Sequence, residues 1–216
     1  MKKILLGLIL ILGFSACSNN SQEQNSKGIY MLIDTSGTYT KELDKAIRII
    51  NFTLSKLNAG DSFVVASIDT ASFSEKDTIA KVTISDTPSK ANQQKRAFQK
   101  SINNYVKNVK SSRYTDITGG ILQATEYLKE RGQRNKTIMI FSDMKEELKK
   151  GYIRDINLSL EEFNVIALNV TKLKSDNKDP REYMDRLEMW KNRIELGGGE
   201  WKVINDLEKL DTLIKE

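Results

Sequence analysis

The stretch IYMLIDTSGT, residues 29–38, is where the chain declares its fold. Five mostly apolar residues run into an aspartate, and hydroxyl residues follow at alternate positions, Ser36 and Thr38. A short apolar run, with Gly28 before it and polar residues after it, reads as a strand buried on both faces. Residues at i, i+2 and i+4 of an extended segment point the same way, so Asp34, Ser36 and Thr38 are expected to converge one carboxylate and two hydroxyls. Gly37 allows a tight turn there, and the helix that follows brings free N–H groups close by.

Outward from this run, similar apolar segments recur at 62–69, 137–143, 164–170 and 201–204. Residues 79–84 alternate and read as an edge strand. Helical spacing appears over 41–57, 89–109, 121–130, 180–196 and 206–216, with 114–120 read as an interruption ahead of the third helix. Strands alternating with helices of this length predict an α/β fold. It is a Rossmann-like open, mostly parallel sheet with helices on both faces and one antiparallel edge strand. Ligands of such sheets sit outside the carboxyl ends of the strands. Asp34 and Asp143 each end an apolar strand, so the fold is expected to make them neighbours. Tyr183 and Trp190 are expected in the core. Glu146 and Glu147 read as solvated, and Lys145, Lys149 and Lys150 as one solvated helix face.

The chain has 216 residues, 39% hydrophobic and 29% charged, enough for one domain with a substantial core. It contains no histidine, which excludes His-based triads, His general bases and His-ligated metals. Its single cysteine, Cys17, excludes internal disulfides and Cys-rich metal sites. The net charge is +5, with Lys2 and Lys3 inside a leader, and the basic residues are interleaved with acids, so nucleic acid is not the expected partner. Residues 1–16 have two lysines followed by an apolar run, the pattern of a secretory signal. FSAC, residues 14–17, resembles a bacterial lipobox, which implies that Cys17 carries lipid and tethers the protein to a membrane of the cell envelope. Residues 17–26 read as a polar tether and 27–216 as the folded domain.

An all-oxygen site with two carboxylates suits Mg²⁺, Mn²⁺ or Ca²⁺. Simpler duties are also open at this point: Asp34 and Ser36 as helix caps, and Thr115 or, better, Asp116 as the cap of the next helix. Two aspartates facing each other at buried strand ends are costly unless something positive lies between them. Asp69 also ends a strand and is expected to support the site or to turn the chain.

Three segments carry a family resemblance. DTSGT at 34–38, TDITGGILQA at 115–124 and IFSD at 140–143 resemble, in order, the segments of a von Willebrand factor A (VWA) domain that form its metal-ion-dependent adhesion site. The resemblance implies that Asp34, Ser36, Thr38, Thr115 and Asp143 hold Mg²⁺ (or Mn²⁺), directly or through water. It further implies a protein partner that presents an Asp or Glu carboxylate to the metal. Met144 stands where Gly is frequent, so the loop after Asp143 is expected to differ. The expected function is therefore metal-dependent protein binding by an envelope lipoprotein rather than catalysis. A Mg²⁺-dependent hydrolase is the alternative, but no phosphate-binding loop or nucleophile-elbow motif is present. A structural lipoprotein with a non-functional site is the other.

Overall fold

The computed structural model describes residues 26–37, 39–69, 74–173 and 175–206. The leader at 1–16, Cys17, most of the tether, Thr38, and the helix expected at 206–216 (Asp206 apart) therefore lie outside the described residues.

The opening run forms β1, Lys27–Ile33, buried from Gly28 on. It is followed by a 3₁₀ turn, Tyr39–Glu42, and helix α1, Leu43–Ser55. Then come β2, Ser62–Ser67, β3, Thr78–Thr83, and helix α2, Pro88–Asn108. The second half consists of helix α3, Ile117–Glu130, β4, Asn135–Phe141, β5, Phe163–Leu168, helix α4, Pro180–Leu196, and β6, Glu200–Ile204. The strand order is β3-β2-β1-β4-β5-β6. All pairings are parallel except β2 with β3, which makes β3 the antiparallel edge strand expected from its alternation.

Alternation along β1 explains why it is apolar throughout. Ile29, Met31 and Ile33 face one core, shared with Leu43, Ile49, Ile50 and Leu54 of α1 and with Phe98 and Ile102 of α2. Tyr30 and Leu32 face the other, shared with Ile117, Ile121, Ala124 and Leu128 of α3 and with Trp190 and Ile194 of α4. A strand covered by helices on both sides has no polar face to show. Trp190 is fully buried, as expected, and Tyr183 packs partly buried against the same core.

The chain builds outward from β1 in one direction and from β4 in the other. The strand order thus reverses between these two neighbours, paired from Lys27↔Asn135 to Ile33↔Phe141. At such a switch point the connections leaving adjacent carboxyl ends diverge and open a crevice. The crossover from β4 to β5 contains no helix, so Lys145, Lys149 and Lys150 lie on an irregular loop and not on a helix face.

The third helix also begins earlier than its spacing suggests. α3 starts at Ile117 and includes Gly119 and Gly120, the pair read as an interruption. A Cβ on Gly120 would come within 2.5 Å of Ile68 Cγ2 and 3.0 Å of Leu32 Cδ1. The glycine is there because the helix crosses the sheet closely at that point, a requirement of packing that no local pattern displays. Among the described residues, no helix is long and apolar enough to cross a membrane.

Candidate metal centre

Asp34 is the first residue past β1 and is fully buried at the switch point. Its main-chain N–H continues the ladder to the Phe141 carbonyl at 2.9 Å, which ties it to the end of β4. Its carboxylate turns back over its own loop, and Oδ1 accepts from the Ser36 N–H at 2.8 Å. That is an Asx turn, so the segment is not uniformly extended as its alternation suggested. Oδ1 also accepts from Thr115 Oγ1 at 3.4 Å, and Oδ2 accepts from Ser142 Oγ at 2.7 Å. Residues from three distant segments thus meet at one side chain.

Helix capping does not account for Asp34. The N-cap of α1 is Glu42, without a side-chain cap bond, and the Ser36 carbonyl accepts from the first 3₁₀ amides, Tyr39 N at 2.8 Å and Thr40 N at 3.2 Å. Capping does account for Asp116, which accepts from Gly119 N at 2.8 Å as the N-cap of α3. A fork from the half-buried Arg154 neutralises the same carboxylate, with Nη2 at 2.7 Å and Nε at 3.0 and 3.1 Å. Asp116 is therefore spent on structure, and Thr115 beside it is left facing Asp34.

Asp143 follows Ser142, is 5% exposed, and accepts from the Lys145 N–H at 2.9 Å. Burial, aided by the charge of Asp34, pushes its carboxyl up to about 6 against the pull of the Lys145 amide, Arg186 and Lys145. Burial likewise pushes the Asp34 carboxyl up, opposed by the hydrogen bonds from Ser142, Ser36 and Thr115. The hydrogen bonds to Asp34 come from hydroxyls and an amide, so its buried charge is stabilised by neutral donors. Thr38 lies outside the described residues. Asp69 contributes its carbonyl, which accepts from Ser112 Oγ at 3.2 Å and so braces the loop before Thr115.

The loop after Asp143 departs from the expected pattern for a physical reason. Met144 takes the left-handed backbone, φ 63°, that glycine favours, yet its side chain is fully buried in the core. Ser142 Oγ accepts from Met144 N at 3.0 Å, and Trp190 Nε1 donates to the Met144 carbonyl at 2.8 Å. The turn is held from both sides and by apolar burial, which offsets the strain of about 1–3 kcal/mol. Arg186 of α4 donates to the Asp143 carbonyl at 2.9 Å and pairs with Asp176 at 2.8 Å.

Two side chains that the sequence did not single out hold this cluster together. Ser142 had no signal beyond its place before Asp143, and its role depends on which way the strand end points. Glu146, read as solvated, accepts from Thr118 N at 2.6 Å and Thr118 Oγ1 at 3.1 Å, and so caps one amide in the first turn of α3. Glu147 is exposed, as expected, and pairs with Lys145. Its main chain exchanges two 2.9 Å bonds with Thr115, which seats that residue.

The residues fit a hard divalent cation by their chemistry: two buried carboxylates and hydroxyl oxygens, with no soft ligand. Among the described residues no group of three Asp, Glu, His or Cys side chains is placed to hold an ion, so hydroxyls are integral to any such site.

The fold and this cluster define a class: a doubly wound α/β domain with an oxygen-donor centre at its switch point. The chain belongs to the von Willebrand factor type A domain family, whose sequence profile matches residues 28–193. Among solved structures it is similar to a von Willebrand factor type A protein from Catenulispora acidiphila, with TM-score 0.53 and 14% identity over 88% of this chain and 41% of that one. It is also similar to the pilus adhesin SpaC of Lactobacillus rhamnosus GG, with TM-score 0.52 and 11% identity over 88% of this chain and 29% of that one. An aerotolerance-related membrane protein from Bacteroides fragilis aligns over 88% of this chain and 96% of its own length, at 15% identity and TM-score 0.48. The chain spans less than half of the first two proteins, and its likeness to those two shows the fold alone. None of the curated proteins matches the chain.

Proposed function

We propose that this protein is a membrane-tethered binding module whose VWA domain recognises a protein partner through a divalent cation, Mg²⁺ or Mn²⁺, and that its role is binding and not catalysis. Asp34, Ser36, Thr38, Thr115 and Asp143 would hold the cation, directly or through water, and Cys17 would carry the lipid. The observation that carries this reading is the meeting of Thr115 Oγ1 and Ser142 Oγ on the carboxylate of Asp34, with Asp143 next in the chain. Domains of this family often bind divalent cations. Such a cation supplies a compact positive charge with positions left for an acidic group of the partner.

The chain's own residues do the rest. Ser142 and the Ser36 amide hold the Asp34 carboxylate in one orientation, and the Thr115–Glu147 pairing holds the threonine hydroxyl toward it. Calorimetry on the full chain in detergent tests the reading. Mg²⁺ or Mn²⁺ is expected to bind the wild type and not Asp34→Ala, with the variant's circular dichroism unchanged. Undiminished binding by Asp34→Ala would falsify the assignment.

A further inference from the structure

The two loops that brace the centre carry cations the fold does not use. One loop lies against the first site loop through Ser112 N–H to the Thr35 carbonyl at 2.9 Å and the Ser36↔Ser112 bridge, and it presents Lys110 and Arg113 on either side of that contact. The other pairs with Thr115 at Glu147 and then presents Lys149 and Lys150. All four side chains are exposed, and among the described residues none has a hydrogen-bond or ion-pair partner. Of the acids within 109–116 and 143–150, Asp116 is engaged by Arg154, Asp143 by the Lys145 amide, Glu146 by Thr118 and Glu147 by Lys145, while Asp155, further along the second loop, is exposed. Exposed basic side chains thus stand on two of the loops that contact the centre. Past Lys150, Tyr152 and Ile153 are 43% and 77% exposed, and the Tyr152 ring sits 5.8 Å from the guanidinium of Arg154 that pairs with Asp116.

We infer that Lys110, Arg113, Lys149 and Lys150 form a basic rim that selects an acidic polypeptide segment bearing apolar side chains, one of whose carboxylates is the group offered to the centre. This rests on the cation-dependent reading above and specifies its partner. Charges of one sign around a docking point speed encounter with the opposite sign and disfavour neutral or basic partners. A nucleic acid or sulfated polysaccharide is also anionic, but it has no aliphatic side chain to cover Tyr152 and Ile153, which makes a polypeptide the better match.

The test is fluorescence anisotropy with the full chain in detergent and Mg²⁺ present. The probe is a short labelled peptide alternating Glu and Leu, and the competitors are its Gln-for-Glu counterpart, oligothymidylate and heparin. The combined variant Lys110→Glu, Arg113→Glu, Lys149→Glu, Lys150→Glu is expected to bind the acidic peptide at least about five-fold more weakly, since each of the four exposed charges contributes a factor of about one and a half to five. Its Mg²⁺ affinity by calorimetry and its melting temperature are expected to match the wild type. Equal peptide affinity in variant and wild type overturns the rim, as does no wild-type binding of the acidic peptide, or tighter binding of oligothymidylate or heparin. Failure of the cation reading shows separately, as absence of Mg²⁺ binding in the calorimeter. The rim is still judged by the difference between wild type and variant for the same peptide.

Discussion

Ser142 shows how much of the centre depends on single side chains outside the proposed ligand set. Its hydroxyl donates to Asp34 Oδ2 and accepts from Met144 N, so one oxygen both orients the carboxylate and fixes the turn. Ser142→Ala leaves a buried carboxylate oxygen and an amide without that partner. The expected cost is about 1–3 kcal/mol by urea denaturation. Cation affinity is expected to fall about 10–100-fold, the usual effect of removing a group that orients a ligand. Affinity unchanged in calorimetry would show that the Asp34 carboxylate is held without Ser142. Met144 presents the opposite balance. Met144→Gly relieves a left-handed backbone but removes a fully buried side chain. Since loss of a buried Met side chain costs more than the strain it relieves, a net destabilisation of about 1 kcal/mol or more is expected from the same denaturation curves.

At the scale of elements, the centre is a consequence of where helices and strands end. α3 must approach β1 closely enough for Thr115, just ahead of its first turn, to reach Asp34. Gly120 permits that approach against Leu32 and Ile68. Gly120→Ala forces a methyl into this contact, and a loss of about 1–3 kcal/mol is expected in thermal unfolding. A variant as stable as the wild type would mean that α3 can shift outward at little cost. The N-terminus of α3 is held by three side chains from two loops: Asp116 as its cap, and, from the crossover after β4, Glu146 on Thr118 and Arg154 on Asp116. The helix-free crossover after β4 therefore serves as a brace for α3, which explains how 142–162 stays in place without regular structure.

For the whole molecule, the two buried carboxylates are expected to couple stability to pH and, on the proposed reading, to the cation. Burial raises both above their ordinary values, Asp143 to about 6 from 3.8. A group with a raised folded value binds protons in the folded state that the unfolded chain releases, so cation-free stability is expected to rise as pH falls through about 6. Asp77, pushed up to about 6 by burial and by Asp69 and Asp116, adds to this in the same direction. A bound cation requires the deprotonated carboxylates, so its stabilisation is present above about 6 and fades below it. At 100 times the dissociation constant that stabilisation is about 2.7 kcal/mol. Melting curves with Mg²⁺ or with chelator are expected to separate in neutral buffer and to converge in acid. Coincidence at every pH would remove the cation from the account.

Much of this was legible from the chain alone. The apolar β1 run, the alternation of 79–84 and the strand–helix order predicted the sheet, because burial on one face or two leaves a periodicity in composition. Asp34 and Asp143 stood out because strand ends in such a sheet share one edge, and Thr115 through the resemblance of its segment to the VWA family. Tertiary structure alone decided that Gly119 and Gly120 belong inside a helix, that Asp116 is consumed by Arg154 while Thr115 is free to face Asp34, and that Ser142 and Glu146 hold the site. Each of those depends on a contact between residues far apart in the chain, and local spacing carries no record of what lies across the crevice.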